Sequence, residues 1–339
     1  MNDQTVTICI PTYNQAQYLP LAVQSACTQT YGAIKVWVVD DASTDDTPQV
    51  MDQLCRRYPN VVYHRQPQNL GIAENCSWMF QQPETKFIVR LDSDDLLDPH
   101  YVETLLPLME KYPQAGYAHT AVYPIDGQGN QGGALYLARL QEYQDAETAL
   151  RASVSGYRTV ANIVMFRRDI LHSLNFYKDR PTFVEDYDLS VRLADAGYGN
   201  IYCSKVLASY RTWIDDDKKR IKRKFVQIRG FIRVYDESVS PAFQRRGWSD
   251  KIVRKEREAL AKRNAVYCNS GLFTPEERQE LTQLLFTLGD SPGLRVRILM
   301  ARAGLGGVFE VQNKVVRAGK LFAKVLLTRV LTRQKVNPA

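Results

Sequence analysis

Three acidic groupings in this chain have residue types and spacing that could do chemistry. In RLDSDDLLDP (90–99), Asp92, Asp94, Asp95 and Asp98 crowd together directly after the apolar run Phe87-Ile88-Val89. Like charges repel and resist burial, so the cluster needs either open water or a cation. Hard carboxylate oxygens on a turn suit Mg²⁺ or Mn²⁺, which keep coordination positions open for substrate phosphates. The plainer reading is a hydrated helix start. Asp98-Pro99 has the order of an N-cap followed by a first helical position, and acidic residues favour that end of the dipole. Asp98 goes to the helix on this ground, while both readings stay open for Asp92 and Asp94.

The second grouping is VVDDASTDDT (38–47). Asp40-Asp41 closes a strand, where a carboxylate can accept from a base N–H or a ribose hydroxyl. Asp45 and Asp46 read as helix caps. The nearby IPTYN (10–14) supplies Tyr13, whose ring either stacks on a base or packs on the surface. The third grouping is Glu185-Asp186 in TFVEDYDLSVRLADAG (182–197), just before an amphipathic helix. Capping accounts for such a pair, and so does general-base work, since a hydroxyl is a poor nucleophile until a carboxylate takes its proton.

The elements that must position these groups alternate. VTICI (6–10), KVWVVDD (35–41), VVYHR (61–65) and KFIVRLD (86–92) read as strands. Helical spacing fills 16–28, 47–58 and 72–81, and Asp98-Pro99 opens a further helix. This alternation predicts an α/β fold with a mostly parallel, doubly wound sheet flanked by helices, and ligands then bind beyond the carboxyl ends of the strands. AGYAHTAVYPI, NIVMFRR (162–168) and IYCSKVLASYR (201–211) read as further strands, DGQGNQGG (126–133) as a turn-rich loop, and YDLSVRLADAG (187–197) as a helix. Past Asp217 long helical segments take over, at 218–237, 249–269, 275–288 and 307–333.

Taken in order, CIPTYNQAQYLPLAVQSACTQTY, VVDDASTDDT, NLGIAENC and RLDSDDLLDP closely resemble the family 2 glycosyltransferases, over roughly residues 5–212. The resemblance implies the GT-A fold and a nucleotide-sugar donor, here expected to be UDP-linked. It implies that Pro11, Thr12 and Tyr13 cradle the base and that Asp41 contacts base or ribose. Gly71 and Asn75 belong to the segment that passes the nucleotide and diphosphate. Asp92-Ser93-Asp94 matches the DxD motif, with Asp94 the first candidate for the metal (Mn²⁺ or Mg²⁺), Asp92 for ribose and metal, and Asp95 a secondary ligand. Glu185-Asp186 looks like the family's ED motif, with Asp186 as catalytic base and Glu185 a neighbour that binds acceptor or sugar. A lone base suits direct displacement, hence inversion at the anomeric carbon. Two departures stand out. Trp213 follows Tyr210-Arg211 where family members often carry a histidine that reaches the metal. FQRRGW (243–248) resembles the QxxRW signature of processive synthases with its arginine one place early, so single-residue transfer is expected. The rivals are an inactive nucleotide-sugar-binding scaffold and a sugar nucleotidyltransferase, which would present a Gly-rich basic loop where PTYNQAQY stands.

Composition bounds the rest. At 45% hydrophobic and 24% charged, the chain is of ordinary globular type, and no apolar run reaches the ~20 residues that span a bilayer. No basic leader precedes VTICI, and the six cysteines form no CxxC pair, so a reducing cytoplasm is expected, without zinc or disulfides. Residues 1–217 carry 17 Lys+Arg against 27 Asp+Glu, and residues 218–339 carry 27 against 10. That split predicts a catalytic domain over 1–217 and a basic, mainly helical region over 218–339. NKVVRAGKLFAKVLLTRVLTRQK (313–335) interleaves apolar and basic residues. It suits either a helix packed on the domain or one lying peripherally on an anionic inner leaflet near a glycan or lipid-linked acceptor. Nucleic acid is not expected, because no recognised binding motif is present. His119 is expected either to line a sugar pocket or to pack in the core, and Arg167-Arg168 either to meet phosphate or to flank a strand.

Overall fold

A computed structural model describes residues 5–177, 184–213 and 217–306, without the side chains of 217–220. The chain divides into two compact units, Met1–Ile214 with Asp236–Ala242, and Asp215–Tyr235 with Phe243–Ala339.

The first unit is built on one twisted sheet. In chain order its elements are β1 (Val6–Thr12), α1 (Leu19–Cys27), β2 (Ile34–Asp40), α2 (Thr47–Arg57), β3 (Val61–Arg65), α3 (Ile72–Gln81), β4 (Phe87–Arg90) and β5 (Leu96–Leu97). There follow α4 (Tyr101–Lys111), β6 (Ala115–Ile125), β7 (Tyr143–Gln144), α5 (Ala146–Ser153), β8 (Val164–Arg167), α6 (Arg168–Ser173), α7 (Glu185–Asp195) and β9 (Gly199–Arg211). The strand order is β3-β2-β1-β4-β8-β6-β9-β5, with β7 also on β9. Pairs β3-β2, β2-β1, β1-β4 and β6-β9 are parallel. β1 and β4 are buried at every position, which is why both lack polar alternation: a strand covered on both faces is apolar over most of its length. One apolar core, with Ile8, Val38, Val89, Leu105 and Met165, fills one side of the sheet, and a second, with Cys76, Phe80, Phe166 and Leu189, fills the other.

Three features differ from the sequence-based expectation. β8 runs antiparallel to both β4 and β6, and a fully buried strand reads the same in either direction. Past the turn-rich loop 126–133 the chain forms α5, a helix not expected there, whose N-cap Asp145 accepts from the Thr148 amide at 2.9 Å. α4 begins at Tyr101, so Asp98 is not its N-cap. The Asp98 carboxylate instead caps the preceding turn by accepting from the His100 amide at 2.9 Å.

Arg167 flanks a strand end and does not face phosphate. It is 7% exposed and donates to the carbonyls of Met109 (2.5 Å), Tyr112 (3.5 Å) and Ala115 (3.3 Å), closing the end of α4, with its guanidinium over Phe87. Met in its place would leave these buried carbonyls without donors, at a cost of about 2 kcal/mol. Thermal unfolding of Arg167→Met should therefore show a Tm lower by roughly 5 °C. An unchanged Tm would refute this role.

The second unit is helical. After α8 (Asp217–Val234) come a π-helical turn (Tyr235–Val239) and α9 (Ser240–Arg245), of which Asp236–Ala242 belong to the first unit, and then α10 (Lys251–Asn264), a 3₁₀ turn, α11 (Pro275–Leu288) and α12 (Pro292–Arg302). α11 starts with a capping box, Thr274 Oγ1 accepting from the Glu277 amide and Glu277 from the Thr274 amide. Among the described residues no helix is long and apolar enough to cross a membrane. The expected helix at 307–333 and the basic amphipathic stretch 313–335 lie outside the described residues.

Candidate active site

The groups singled out above collect at the carboxyl ends of β1, β2 and β4, where a parallel sheet presents its loops. Pro11 and Thr12 are buried within β1. Of the PTY segment only Tyr13 stands out, 46% exposed, while the Thr12 hydroxyl is buried with no hydrogen-bond partner. The loops after β1 and β2 interlock. Asn14 and Ala42 hold left-handed backbone (φ 53° and 59°), the Asn14 amide donates to Ser43 Oγ at 2.9 Å, and the Thr44 amide donates to Asn14 Oδ1 at 2.7 Å. Asp40 is fully buried, accepting from the Ser43 amide (2.8 Å) and the Tyr63 hydroxyl (2.7 Å). Asp45 accepts from the Thr47 amide at the start of α2 and from the Ala16 amide, whereas Asp46, the N-cap residue, makes no side-chain cap hydrogen bond.

Asp41 is 3% exposed, and both its carboxylate oxygens already accept backbone amides, from Leu70 at 2.7 Å and Gly71 at 2.9 Å. Gly71 sits at φ 83° and ψ 158°, a region open essentially only to glycine, and this directs both amides at one carboxylate. Asp41 therefore builds the loop that leads into α3. Asparagine here would turn an amide donor against amide donors. Asp41→Asn should lower stability by about 1–3 kcal/mol and release the Leu70 and Gly71 amides to faster hydrogen exchange. Unaltered protection of those two amides would contradict the assignment. Asn75, expected along the diphosphate, is 1% exposed with both ends of its amide used: it donates to the Val39 carbonyl (3.2 Å) and accepts from Gln66 (3.2 Å). Its side chain ties α3 to β2 instead of facing outward.

After β4 the three aspartates diverge. The Asp92 carboxylate accepts from Arg90 Nε at 2.8 Å and Nη2 at 3.3 Å. Asp94 Oδ2 accepts the indole N–H of Trp213 at 2.7 Å. Burial first, and then repulsion from Asp92, pushes the Asp94 carboxyl above its ordinary value, although the Trp213 bond pulls it back. Asp95 is 1% exposed. Its Oδ1 accepts the Arg211 amide at 2.7 Å, its Oδ2 is buried without a partner, and burial with repulsion from Asp92 and Asp94 raises its carboxyl far above the usual range. Among the described residues no three His, Cys, Asp or Glu side chains converge as a metal site. Of the three expected ligands, Asp95 turns inward to the Arg211 amide of β9, while Asp92 and Asp94 meet Arg90 and Trp213.

Glu185 and Asp186 occupy the first turn of α7 and do not precede it. Carboxylates there meet the positive end of the helix. The Asp186 side chain is 18% exposed, and its Oδ1 accepts from Arg90 Nη1 at 2.6 Å and the Tyr177 hydroxyl at 2.5 Å. Burial raises its carboxyl above the ordinary aspartate value against the pull of Arg90 and Tyr177. Asp188, also in the first turn, accepts from Ser238 Oγ at 2.5 Å and Arg192 at 2.7 Å, which anchors the helix.

Sequence reasoning missed Arg90 and Tyr177. Arg90 had a legible signal, since a charged residue ending an otherwise apolar buried strand needs a partner. Trp213 was noted only as a departure. It is 49% exposed and packs edge-on against Tyr18 at 5.2 Å, while the Arg211 guanidinium lies 4.4 Å from the Tyr18 ring. His119 is fully buried in the core between Tyr117 and Tyr202, and burial holds it neutral with a pKa of about 3.

Residues 7–174, spanning β1 to β8, match the family model described as Glycosyl transferase family 2. The chain belongs to glycosyl transferase family 2 through this domain. The matched span holds Asp92, Asp94 and Arg90 and ends before Glu185-Asp186. Chondroitin synthase of Escherichia coli is 26% identical over 235 residues, which are 69% of this chain and 32% of that protein. Hyaluronan synthase of Pasteurella multocida is 26% identical over 235 residues, 69% of this chain and 23% of that protein. The chain therefore spans about a third or less of these relatives. Among solved structures, S. aureus TarS 1–349 in complex with UDP-GlcNAc matches with TM-score 0.63 at 16% identity, over 93% of this chain and 92% of that one. The mannosyltransferase PcManGT from Pyrobaculum calidifontis, solved with GDP-Man and Mn²⁺, matches with TM-score 0.53 at 16% identity, over 87% and 86%. At this identity the family 2 domain shares with them the GT-A fold.

Proposed function

We propose that this protein is an inverting glycosyltransferase that moves a sugar from a UDP-linked donor to a glycan or lipid-linked acceptor. The observation that carries the reading is the placement of Asp186, mostly buried and raised in pKa, one guanidinium away from Asp92 of the DxD turn. A base with a raised pKa, set beside the turn that would take the diphosphate, is what direct displacement requires. The acceptor oxygen attacks the anomeric carbon as the bond to the diphosphate oxygen breaks. The hydroxyl proton passes to Asp186, and the nucleoside diphosphate leaves. Tyr13 and the loop held by Asp41 would bound the nucleotide, and Glu185 would meet acceptor or sugar.

The donor set fits a hard divalent cation, Mn²⁺ or Mg²⁺. Asp94 and Asp95 are destabilised in their charged forms by burial and by repulsion from Asp92, and Asp95 Oδ2 is orphaned. Asp94 would hold the ion with Asp92, the remaining positions falling to phosphate and water. When bound, it would neutralise the charge growing on the leaving diphosphate. Uracil is favoured by the TarS neighbour, solved with UDP-GlcNAc, while PcManGT, solved with GDP-Man, makes guanine the control. We propose residues 1–217 as the catalytic domain and a membrane-surface or acceptor-side role for the basic residues 218–339.

A thermal-shift panel of UDP, GDP and their sugars, with and without Mn²⁺, tests donor and ion together. A ligand bound only by the folded state raises apparent stability by RT ln(1 + [L]/Kd). Stabilisation by a uridine ligand only with metal is the expected result. Release of pyrophosphate would instead indicate a nucleotidyltransferase.

A further inference from the structure

We propose that Arg90 is a positioning residue whose single guanidinium plane sets the donor-side Asp92 and the base Asp186 in fixed relation to each other. The inference rests on the transfer reading above and concerns how that site is held together. Arg90 is 5% exposed and ends β4, a strand pinned between β1 and β8. Its Nε and Nη2 grip both oxygens of Asp92, while Nη1 reaches Asp186 Oδ1 at 2.6 Å and Tyr177 Oη at 2.8 Å. Tyr177 also donates to the same Asp186 oxygen at 2.5 Å, so Arg90, Tyr177 and Asp186 close a three-membered ring of contacts.

A guanidinium is planar, permanently charged and presents its donors in a rigid fork. Two carboxylates bonded to two edges of that plane cannot rotate independently. One hangs from the turn after β4 and the other from the first turn of α7, and among the described residues Arg90 is the side chain that bonds to both. Asp186 Oδ1 is saturated by Arg90 and Tyr177, which leaves Oδ2 as the oxygen to take a proton. Lysine keeps the charge but has one point donor, so it can neutralise the pair without orienting it. The other charged or titratable groups facing Asp186 are Asp92 and Glu185, with Tyr157 and the buried Cys76 thiol also nearby.

The test measures nucleoside diphosphate released from UDP-sugars with Mn²⁺, as rate against pH, alongside UDP–Mn²⁺ affinity by thermal shift. Arg90→Lys should lower kcat by roughly 10–100-fold, the cost of misplacing a reacting group by about an ångström. It should also weaken UDP–Mn²⁺ binding and move the acid limb of the profile to higher pH, because both Arg90 and the bond it supports favour the charged carboxylate. Tyr177→Phe touches only the Asp186 end, so it should move the acid limb and leave UDP–Mn²⁺ affinity at the wild-type value. That split between the two variants is what a merely structural role would not produce. Loss of rate and Tm in Arg90→Lys with an unmoved acid limb would overturn the inference, as would wild-type behaviour. If the wild-type protein itself releases no nucleoside diphosphate, the transfer reading falls and this inference with it. Release that Arg90→Lys leaves untouched refutes this inference alone.

Discussion

Replacing Asp186 by Asn is expected to slow nucleoside diphosphate release by roughly 10²–10⁴-fold, the usual contribution of a positioned general base, while the domain stays folded. Asparagine keeps an oxygen where Oδ1 accepts from Arg90 and Tyr177, so the ring of contacts around Arg90 can persist. Arg90 also retains Asp92 as a charged partner. The missing charge at the start of α7 removes a dipole interaction of about 0.3–1 kcal/mol. The variant therefore separates chemistry from folding: near-normal Tm and UDP affinity, collapsed turnover. In the wild-type protein the acid limb of kcat/KM should lie above the ordinary aspartate range, because burial raises this carboxyl. Its sign follows from the role. A base works deprotonated, so activity is present above the folded-state pKa and is lost as pH falls through it. Turnover of Asp186→Asn within threefold of wild type would remove the base assignment.

Part of this site is legible in the amino-acid sequence alone, and the reasons differ from residue to residue. β1 and β4 are readable because strands buried on both faces are apolar over most of their length, and the acidic turns that follow mark where such strands stop. The direction of β8 is not, since periodicity carries no sign. Asp41 and Asn75 are each engaged by the protein's own groups, and the sequence does not show which. A sequence reports that a carboxylate or amide is present; it does not report that the Leu70 and Gly71 amides reach one first, or that Val39 and Gln66 claim the other. The three aspartates of RLDSDDLLDP look alike in the sequence, and the backbone turn divides them. Asp92 turns to Arg90, Asp94 to Trp213, and Asp95 inward to the Arg211 amide. Arg90 is the instructive omission, because the cost of ending an apolar strand with a cation already implies the pair of anions that flank it.

The second large effect concerns the metal, and it should appear as a gain as well as a loss. Asp94→Asn keeps an acceptor for the Trp213 indole N–H and removes the charge. A carboxylate whose folded-state pKa is raised above its unfolded value costs stability in its charged form at neutral pH. Neutralising it should leave the Tm of the ligand-free protein equal to or above wild type, and relieve the repulsion felt by Asp95. The same change should abolish the site's hold on a divalent ion. Substituting a group one step outside a metal's ligands already costs roughly 10–100-fold in affinity, and Asp94 is the inner group. The Mn²⁺ concentration needed for UDP to stabilise the protein should therefore rise by at least about 100-fold. Trp213→Phe, which leaves Asp94 charged but takes away its N–H partner, should fall between the two, within roughly 10–100-fold of wild type. Opposite movements of ligand-free Tm and metal-dependent stabilisation in Asp94→Asn would mark a charge kept for binding at the expense of stability. A Mn²⁺-dependent UDP shift of wild-type size in that variant would place the ion elsewhere, and a fall in ligand-free Tm of several degrees would make Asp94 a structural acceptor for Trp213 first and a ligand second.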